Sequence, residues 1–361
     1  MKKIDSDIKR AKTLPGSFYR TKESFEKSKE KIFAKTWQYI GDDSLVKIEN
    51  SAFPFNYIDG LIEEPLLLIN NQNNKEICLS NVCTHRGNIL IENPCIINKN
   101  ITCGYHGRRF NLSGKFISMP ETDGMENFPC KSDDLTEVPL EKWKQFLFSS
   151  LDPTIKFDEL FSFMDSIVGW MPIENFIYDP IRSRDYLVKS NWALYCDNYL
   201  EGFHIPFIHK DLAKTLDYSQ YNTVIDKYCN LQKGFGTGSD FCFDLPESSE
   251  DYGKEIAAYY FWLFPNIMFN FYPWGLSLNI IKPISEKLTK VEFRTYIWDE
   301  SKIDLGAGAI LDKVEREDEA IVEKVQKGVS SRFYNHGRFS PKMEKGVHHF
   351  HQLISHFLNK D

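Results

Sequence analysis

The spacing of apolar positions changes character along this chain. Over residues 1–36 charged residues dominate, and Phe18, Phe25, Ile32 and Phe33 recur at intervals that predict a helical arm with one packing face. From Trp37 to about Asp152 the pattern shortens to runs such as Leu66-Leu-Leu-Ile69 and Glu76-Ile-Cys-Leu79, broken by Asn and Gly. Such runs predict a small all-β domain over 37–152, with Gln145-Phe-Leu-Phe148 as its last strand and Asp152-Pro153 as its exit.

Residues 153–361 mix the two periodicities. Asp185-Tyr-Leu-Val188 reads as a strand that feeds a helix-like stretch from Asn191 to His204. Within that apolar stretch Asp197, Asn198, Glu201 and His204 fall on one polar stripe. Strands are expected at Tyr259–Phe264, Ile267–Tyr272, Leu276–Ile281 and Lys290–Trp298, and together they predict a curved antiparallel sheet. A long helix follows from about Leu305 to Val329, and the tail around Gly346-Val-His-His-Phe-His351 reads as an amphipathic terminal helix. The whole is α+β, with a leading arm (1–36), an all-β domain (37–152) and a helix-and-sheet domain (153–361).

Composition narrows the function. At 361 residues, 42% hydrophobic and 14% aromatic, the chain can bury two cores. A net charge of −7 offers no basic footprint for nucleic acid or anionic lipid, which favours a small-molecule substrate. The longest apolar run, Ile256 to Phe264, is far short of the roughly 18 residues of a membrane span. The basic amino terminus has no apolar segment behind it, so no secretory signal and no membrane association are expected, and the cytoplasm is the expected compartment. Of eight cysteines, Cys78, Cys95, Cys130, Cys196, Cys229 and Cys242 show no tight spacing and read as reduced thiols.

The other two sit in Cys83-Thr-His85-Arg-Gly87 and Cys103-Gly-Tyr-His106-Gly107, separated so that seventeen residues lie between His85 and Cys103. Zinc accepts two Cys and two His, but its usual sites pair Cys with Cys and His with His. Here each loop carries one of each, which suits a [2Fe–2S] cluster whose two irons take two Cys and two His respectively. These loops resemble the Rieske domain of the Rieske non-haem iron oxygenases, specifically their large or α subunits. Many members read C-P-Y-H-G-W at the second loop, whereas this chain continues as Arg108-Arg109, so its surface beside His106 is expected to differ.

A second metal site is expected in the helix-and-sheet domain. In Glu201-Gly-Phe-His204-Ile-Pro-Phe-Ile-His209 the two imidazoles would lie about 140° apart on an ideal helix, and a break at Pro206 is expected to bring them together. The long helix carries an apolar stripe of Leu311, Val314, Ile321 and Val325, with Asp318 in the middle. A carboxylate there is costly unless paired or bound to metal. Two imidazoles and one carboxylate form the facial triad of non-haem Fe(II) oxygenases. The neighbouring Glu315, Glu317, Glu319 and Glu323 read as a solvated face. The resemblance agrees with a triad of His204, His209 and Asp318, and it gives Glu201 the role of linking one subunit's cluster to its neighbour's iron, with Asp197 as the alternative bridge.

The resemblance further implies a helix-grip (START-like) catalytic domain, most like the single-component-type α subunits typified by choline and carnitine monooxygenases, within a family that also holds dioxygenases. It implies a terminal oxygenase, assembled as a homotrimer, that uses O2 to hydroxylate or oxidatively demethylate a small organic substrate. Electrons would come from NAD(P)H through a separate flavin and iron–sulfur reductase, because the chain has no complete flavin or nicotinamide motif: Gly306-Ala-Gly308-Ala lacks the third Gly and reads as a helix start. A quaternary ammonium compound or an aromatic acid is the expected substrate. For the former, Tyr195, Phe203, Phe207, Trp262, Phe271 and Trp274 are the aromatic candidates for a cation–π box. Two other readings, a Rieske electron carrier without chemistry of its own and a helix-grip ligand-binding protein, leave His204, His209 and Asp318 or the metal loops unexplained.

Overall fold

A computed structural model of the chain describes residues 2–71, 75–209, 221–236, 242–303, 305–308 and 311–360. Contacts divide it into two units, one of residues 34–154 and one that joins 1–33 to 155–361.

The 34–154 unit is built from short strands: β1 (Gln38–Asp42), β2 (Ser51–Ile58), β3 (Ile62–Asn70), β4 (Glu76–Ser80), β5 (Cys95–Ile96), β6 (Ile101–Thr102), β7 (Arg109–Phe110), β8 (Phe116–Ser118), β9 (Glu137–Val138), β10 (Leu140–Trp143) and β11 (Phe146–Ser149). They form sheets in the orders β5-β2-β3-β4-β9, β6-β7-β8 and β1-β11-β10. The all-β expectation holds. One face of β3 and β4 supplies Leu67, Ile69, Ile77 and Leu79 to a core that also contains Cys83, Cys103 and Phe110. The apolar alternation of those strands therefore seats both cysteine loops on packed side chains.

In the other unit α1 (Lys22–Lys31) and α2 (Asp158–Val168) precede β12 (Ile177–Val188), α3 (Trp192–Tyr199) and α4 (Ile205–Ile208). Then come β13 (Asn222–Ile225), β14 (Cys229–Phe235), β15 (Ile256–Leu263), β16 (Ile267–Tyr272), β17 (Gly275–Ser285), β18 (Leu288–Ile297), α5 (Leu311–Val329) and α6 (Lys345–Asn359). One antiparallel sheet runs in the order β12-β18-β17-β16-β15-β14-β13. Its central strands read as near-continuous apolar runs because both faces are covered. Phe261 and Phe269 meet Phe163 and Phe161 of α2 on one face, while Trp262 meets Phe350 of α6 on the other. The arm's packing residues Phe18, Phe25, Ile32 and Phe33 are all buried as expected, although its helix covers only Lys22–Lys31.

Three local expectations are corrected. The helix predicted through His204 ends at Tyr199, so Asp197 and Asn198 lie on it and Glu201 and His204 do not. A Cβ at Gly202 would lie 2.4 Å from the ring of Tyr221, so the close approach there requires glycine. The stripe of α5 also turns: Val322, Gln326 and Val329 are buried and Val325 is exposed. The expected helix start at 305 is instead a 3-10 turn, Gly306–Gly308, and residues 309–310 lie outside the described residues.

Candidate metal centres and substrate cavity

The two cysteine loops share one frame. Cys83 N–H donates to Asn88 O at 2.8 Å and Gly87 N–H to Cys83 O at 2.9 Å; Cys103 N–H donates to Arg108 O at 2.8 Å and Gly107 N–H to Cys103 O at 3.0 Å. Gly87 and Gly107 both hold positive φ, at 72° and 70°, which closes each loop without a Cβ penalty. The loops are thus equivalent in length, and C-x-H against C-x2-H only moves the imidazole by one position. Both cysteines are buried. Burial disfavours the thiolate at Cys103, but the backbone N–H groups of Tyr105 and His106 and the amide of Asn88 outweigh it and lower the pKa. The Asn88 amide donates across to Cys103 Sγ at 3.7 Å.

His85 and His106 meet with ring centroids 4.7 Å apart, and Nδ1 of His85 is buried with no hydrogen-bond partner among the described residues, an orphan that ligation by iron would satisfy. Among the described residues, these four do not close around a single ion, whereas His204, His209 and Asp318 do. One Cys and one His from each loop suit a two-iron cluster better than one tetrahedral zinc. The expected surface change beside His106 is half corrected: Arg109 is exposed, but Arg108 is buried.

In the other unit His204 and His209 flank the single turn of α4, with Pro206 in its first turn. Proline therefore starts this helix instead of breaking a longer one, since its missing N–H is not needed there. The break lies upstream, at residues 200–204. One turn brings Nε2 of His204 to 3.2 Å from Nε2 of His209. Asp318 Oδ1 lies 3.0 Å from the latter and 3.5 Å from the former, so all three ligand atoms fall within 4.8 Å of one another.

Each imidazole is oriented from behind. His204 Nδ1 donates to Glu201 Oε1 at 2.7 Å, and Glu201 Oε2 also accepts the His204 backbone N–H at 3.1 Å. His209 Nδ1 donates to Glu317 Oε2 at 2.8 Å. Both bonds fix the proton on Nδ1 and leave Nε2 for a metal. Burial would lower the pKa of His204, but Asp318 and Glu201 overcome it and raise it to about 9. Burial would raise Asp318, yet the two imidazoles hold it below the usual carboxylate range. The residues fit a dication: two neutral nitrogens and one carboxylate converge, each with its remaining hydrogen bond made.

The polar stripe splits. Asn198 donates from Nδ2 to Asp318 Oδ1 at 2.6 Å. Asp197 faces elsewhere within the chain, accepting from Tyr19 Oη at 2.8 Å and from His351 Nε2 at 2.8 Å. The tail histidines are likewise structural partners: His348 meets Asp5 O and His349 meets Asn230. The acidic face of α5 is corrected in part, since Glu317 orients His209 and Glu315 lines the cavity beside the triad.

That cavity is floored by one rung across the sheet, Gln232 opposite Tyr260, Tyr260 opposite Asn270, and Asn270 opposite Ser277. Sequence reasoning missed these residues, although polar side chains inside apolar strands such as Ile267–Tyr272 were the available signal. Of the expected aromatic box only Tyr195 lines the cavity, with Tyr199, Tyr221, Tyr260 and Tyr272 beside it. Phe203 and Phe207 are exposed, while Trp262, Phe271 and Trp274 are packed into the core.

A family model for the Rieske [2Fe–2S] domain matches residues 36–129, and one for the ring hydroxylating alpha subunit (catalytic domain) matches residues 170–360. The chain belongs to the ring-hydroxylating alpha-subunit family. It is a Rieske non-haem iron oxygenase, and membership implies both the cluster and the mononuclear iron. The chloroplastic choline monooxygenase of Arabidopsis thaliana is 29% identical, over 97% of this chain and 84% of its own length. The carnitine monooxygenase oxygenase subunit of Escherichia coli (strain K12) is 28% identical, over 95% of this chain and 93% of its own. A quaternary ammonium Rieske monooxygenase solved with L-carnitine shares the fold with a TM-score of 0.78 at 23% identity, covering 99% of both chains. Naphthalene 1,2-dioxygenase from Rhodococcus sp. shares it at 0.72 and 15%, covering 96% of this chain and 93% of its own. Among the described residues no helix is long and apolar enough to cross a membrane.

Proposed function

We propose that this oxygenase component acts on a small quaternary ammonium compound, drawing electrons from NAD(P)H through a separate reductase and working as a homotrimer. One observation carries the substrate reading. The cavity beside the triad is walled by tyrosines and by the carboxyl groups of Glu201, Glu315 and Asp318, and no Lys or Arg lines it among the described residues. An aromatic carboxylate would find no cation there. A trimethylammonium head would find tyrosine rings, with Tyr260 and Tyr272 meeting at 78°, and an acid in Glu315. The choline and carnitine monooxygenases among the relatives carry names in keeping with this reading.

Cys83, His85, Cys103 and His106 would hold a cluster that supplies electrons singly, and His204, His209 and Asp318 would hold an iron that supplies oxygen activation. The protein's own part is positional. Glu317 and Asn198 hold His209 and Asp318, while the cavity orients the substrate against the Nε2 side of the histidine pair. Glu201 holds the Nδ1 proton of His204 and is only partly buried, so its oxygens have room to accept a further hydrogen bond from a cluster histidine of a neighbouring copy. Inter-subunit electron transfer is described for one structural neighbour.

The test is a substrate panel of choline, L-carnitine, γ-butyrobetaine, benzoate and naphthalene, with purified protein, NADH and a generic reductase. Substrate-dependent O2 consumption with an ammonium compound and none with benzoate is expected. Turnover of benzoate alone would overturn the reading.

A further inference from the structure

Asn88 and Arg108 occupy the same place in the two cysteine loops, each accepting through its backbone carbonyl the N–H of its loop's cysteine. Asn88 spends its side chain on Cys103 Sγ. Arg108 carries a full positive charge into the interior, with its side chain 3% exposed. Its guanidinium donates to Asp133 Oδ1 at 2.7 Å and to Asp133 O at 3.1 Å. It lies over the ring of Phe116 at 4.6 Å, with Phe110 and Phe128 each at 5.7 Å. The same carbonyl of Asp133 accepts Thr84 Oγ1 of the first loop at 2.8 Å, so one residue ties both loops together.

An internal cation is costly where an apolar side chain would fit such an aromatic cage, so its retention calls for a role. The carbonyl of Arg108 accepts the Cys103 N–H at 2.8 Å, so the charge is anchored in the same loop as a cluster ligand. Asp133, at 17% side-chain exposure, is the more solvated half of the pair. Solvent therefore screens the cation less than its counter-ion.

We propose that Arg108 sets the reduction potential of the cluster upward, as a fixed positive charge buried behind both cysteine loops and held in place by Asp133. Adding an electron to a cluster beside a buried cation is favoured, and net charge with burial are recognised controls of such potentials. The inference rests on the cluster being carried by Cys83, His85, Cys103 and His106.

Redox titration of the purified oxygenase, followed by visible absorption and EPR, tests it. Arg108→Gln should lower the midpoint by about a tenfold change in the reduction equilibrium, roughly 59 mV for one electron. Arg108→Lys should keep the wild-type value, and Asp133→Asn should shift it the opposite way, upward. A purely structural clamp would move both disrupted variants in one direction or neither. An unmoved midpoint in Arg108→Gln with the cluster intact, or an Arg108→Lys shift as large as that of Gln, would overturn the proposal. If Arg108→Gln does not fold, Asp133→Asn decides: a rise supports the proposal, and no change or a fall overturns it. Absence of any cluster signal in the wild-type protein would instead refute the ligand assignment.

Discussion

Asn198 donates to the same oxygen of Asp318 that faces His209, at 2.6 Å against 3.0 Å. The amide therefore fixes which carboxylate oxygen meets a metal. Asn198→Ala should weaken iron binding by about 10–100-fold, the usual cost of losing a partner that orients a ligand. Iron retention after dialysis against a graded chelator measures this, and the visible spectrum of the cluster should be unchanged.

Iron loading should depend steeply on pH. Asp318 and Glu201 hold the pKa of His204 at about 9, so near neutrality an Fe(II) ion must displace its proton. Apparent affinity should climb with pH up to about 9 and then level off. Stability of the protein without mononuclear iron should run the other way. A raised histidine pKa stabilises the fold fully below about 6.5, where folded and unfolded chains are both protonated, and the gain is lost as pH rises through about 9. Metal counting and thermal melts across this window check both slopes, and a flat loading curve would remove His204 from the ligand set.

Glu201→Gln should leave both metal centres assembled, because Glu201 touches His204 through Nδ1 and not through the metal-facing nitrogen. Transfer between centres should fail, since an amide cannot balance the charge of a protonated imidazole on either side. In single-turnover mixing with O2 and substrate, the variant's cluster should stay reduced. Normal reoxidation coupled to product would end the bridging role.

The sequence pattern made some of this site visible and hid the rest for identifiable reasons. Cys83, His85, Cys103 and His106 stand out because their residue types are rare and closely spaced, and Asp318 because a carboxylate interrupts an apolar stripe. Glu317 was hidden in a run of acids that reads as a solvated face. Only the rotation of α5 against α4, which brings its carboxylate to 2.8 Å from His209, reveals its role. The cavity floor was hidden because register alone aligns Gln232, Tyr260, Asn270 and Ser277, and register is set by long-range pairing that no local window contains. The fate of Asp197 followed from the helix ending at Tyr199, which separated it from Glu201.

Glu315 is expected to trade stability for binding. Burial, followed by the charges of Asp312, Asp318 and Glu319, raises its pKa well above the ordinary carboxylate value. An acid with a raised folded pKa costs stability increasingly as pH climbs above its unfolded value of about 4.5. Glu315→Gln should therefore raise the melting temperature at pH 7 and flatten its decline between pH 5 and 7. A bound cation favours the ionised carboxylate and draws out its proton, so the same change should increase KM for a trimethylammonium substrate by about tenfold, ~1.4 kcal/mol, with kcat little changed. Unchanged KM together with a higher melting temperature would make Glu315 a buried acid without a binding role.

Asp318→Leu separates a ligand from a tolerated buried acid. If the carboxylate only sat on the α5 stripe, leucine would relieve its desolvation and stabilise a helix already packed through Val322 and Val329. Its three partners argue otherwise, because Asn198, His204 and His209 all converge on Oδ1. Leucine would leave an amide and two imidazoles facing an apolar side chain, at a cost of about 3–5 kcal/mol for breaking a buried charged network. The variant should retain the cluster spectrum, since the cysteine loops belong to the other unit, and should lose mononuclear iron and turnover together. Iron analysis reads the outcome directly: about two irons per chain in place of three supports the triad, and three irons with full activity would exclude Asp318.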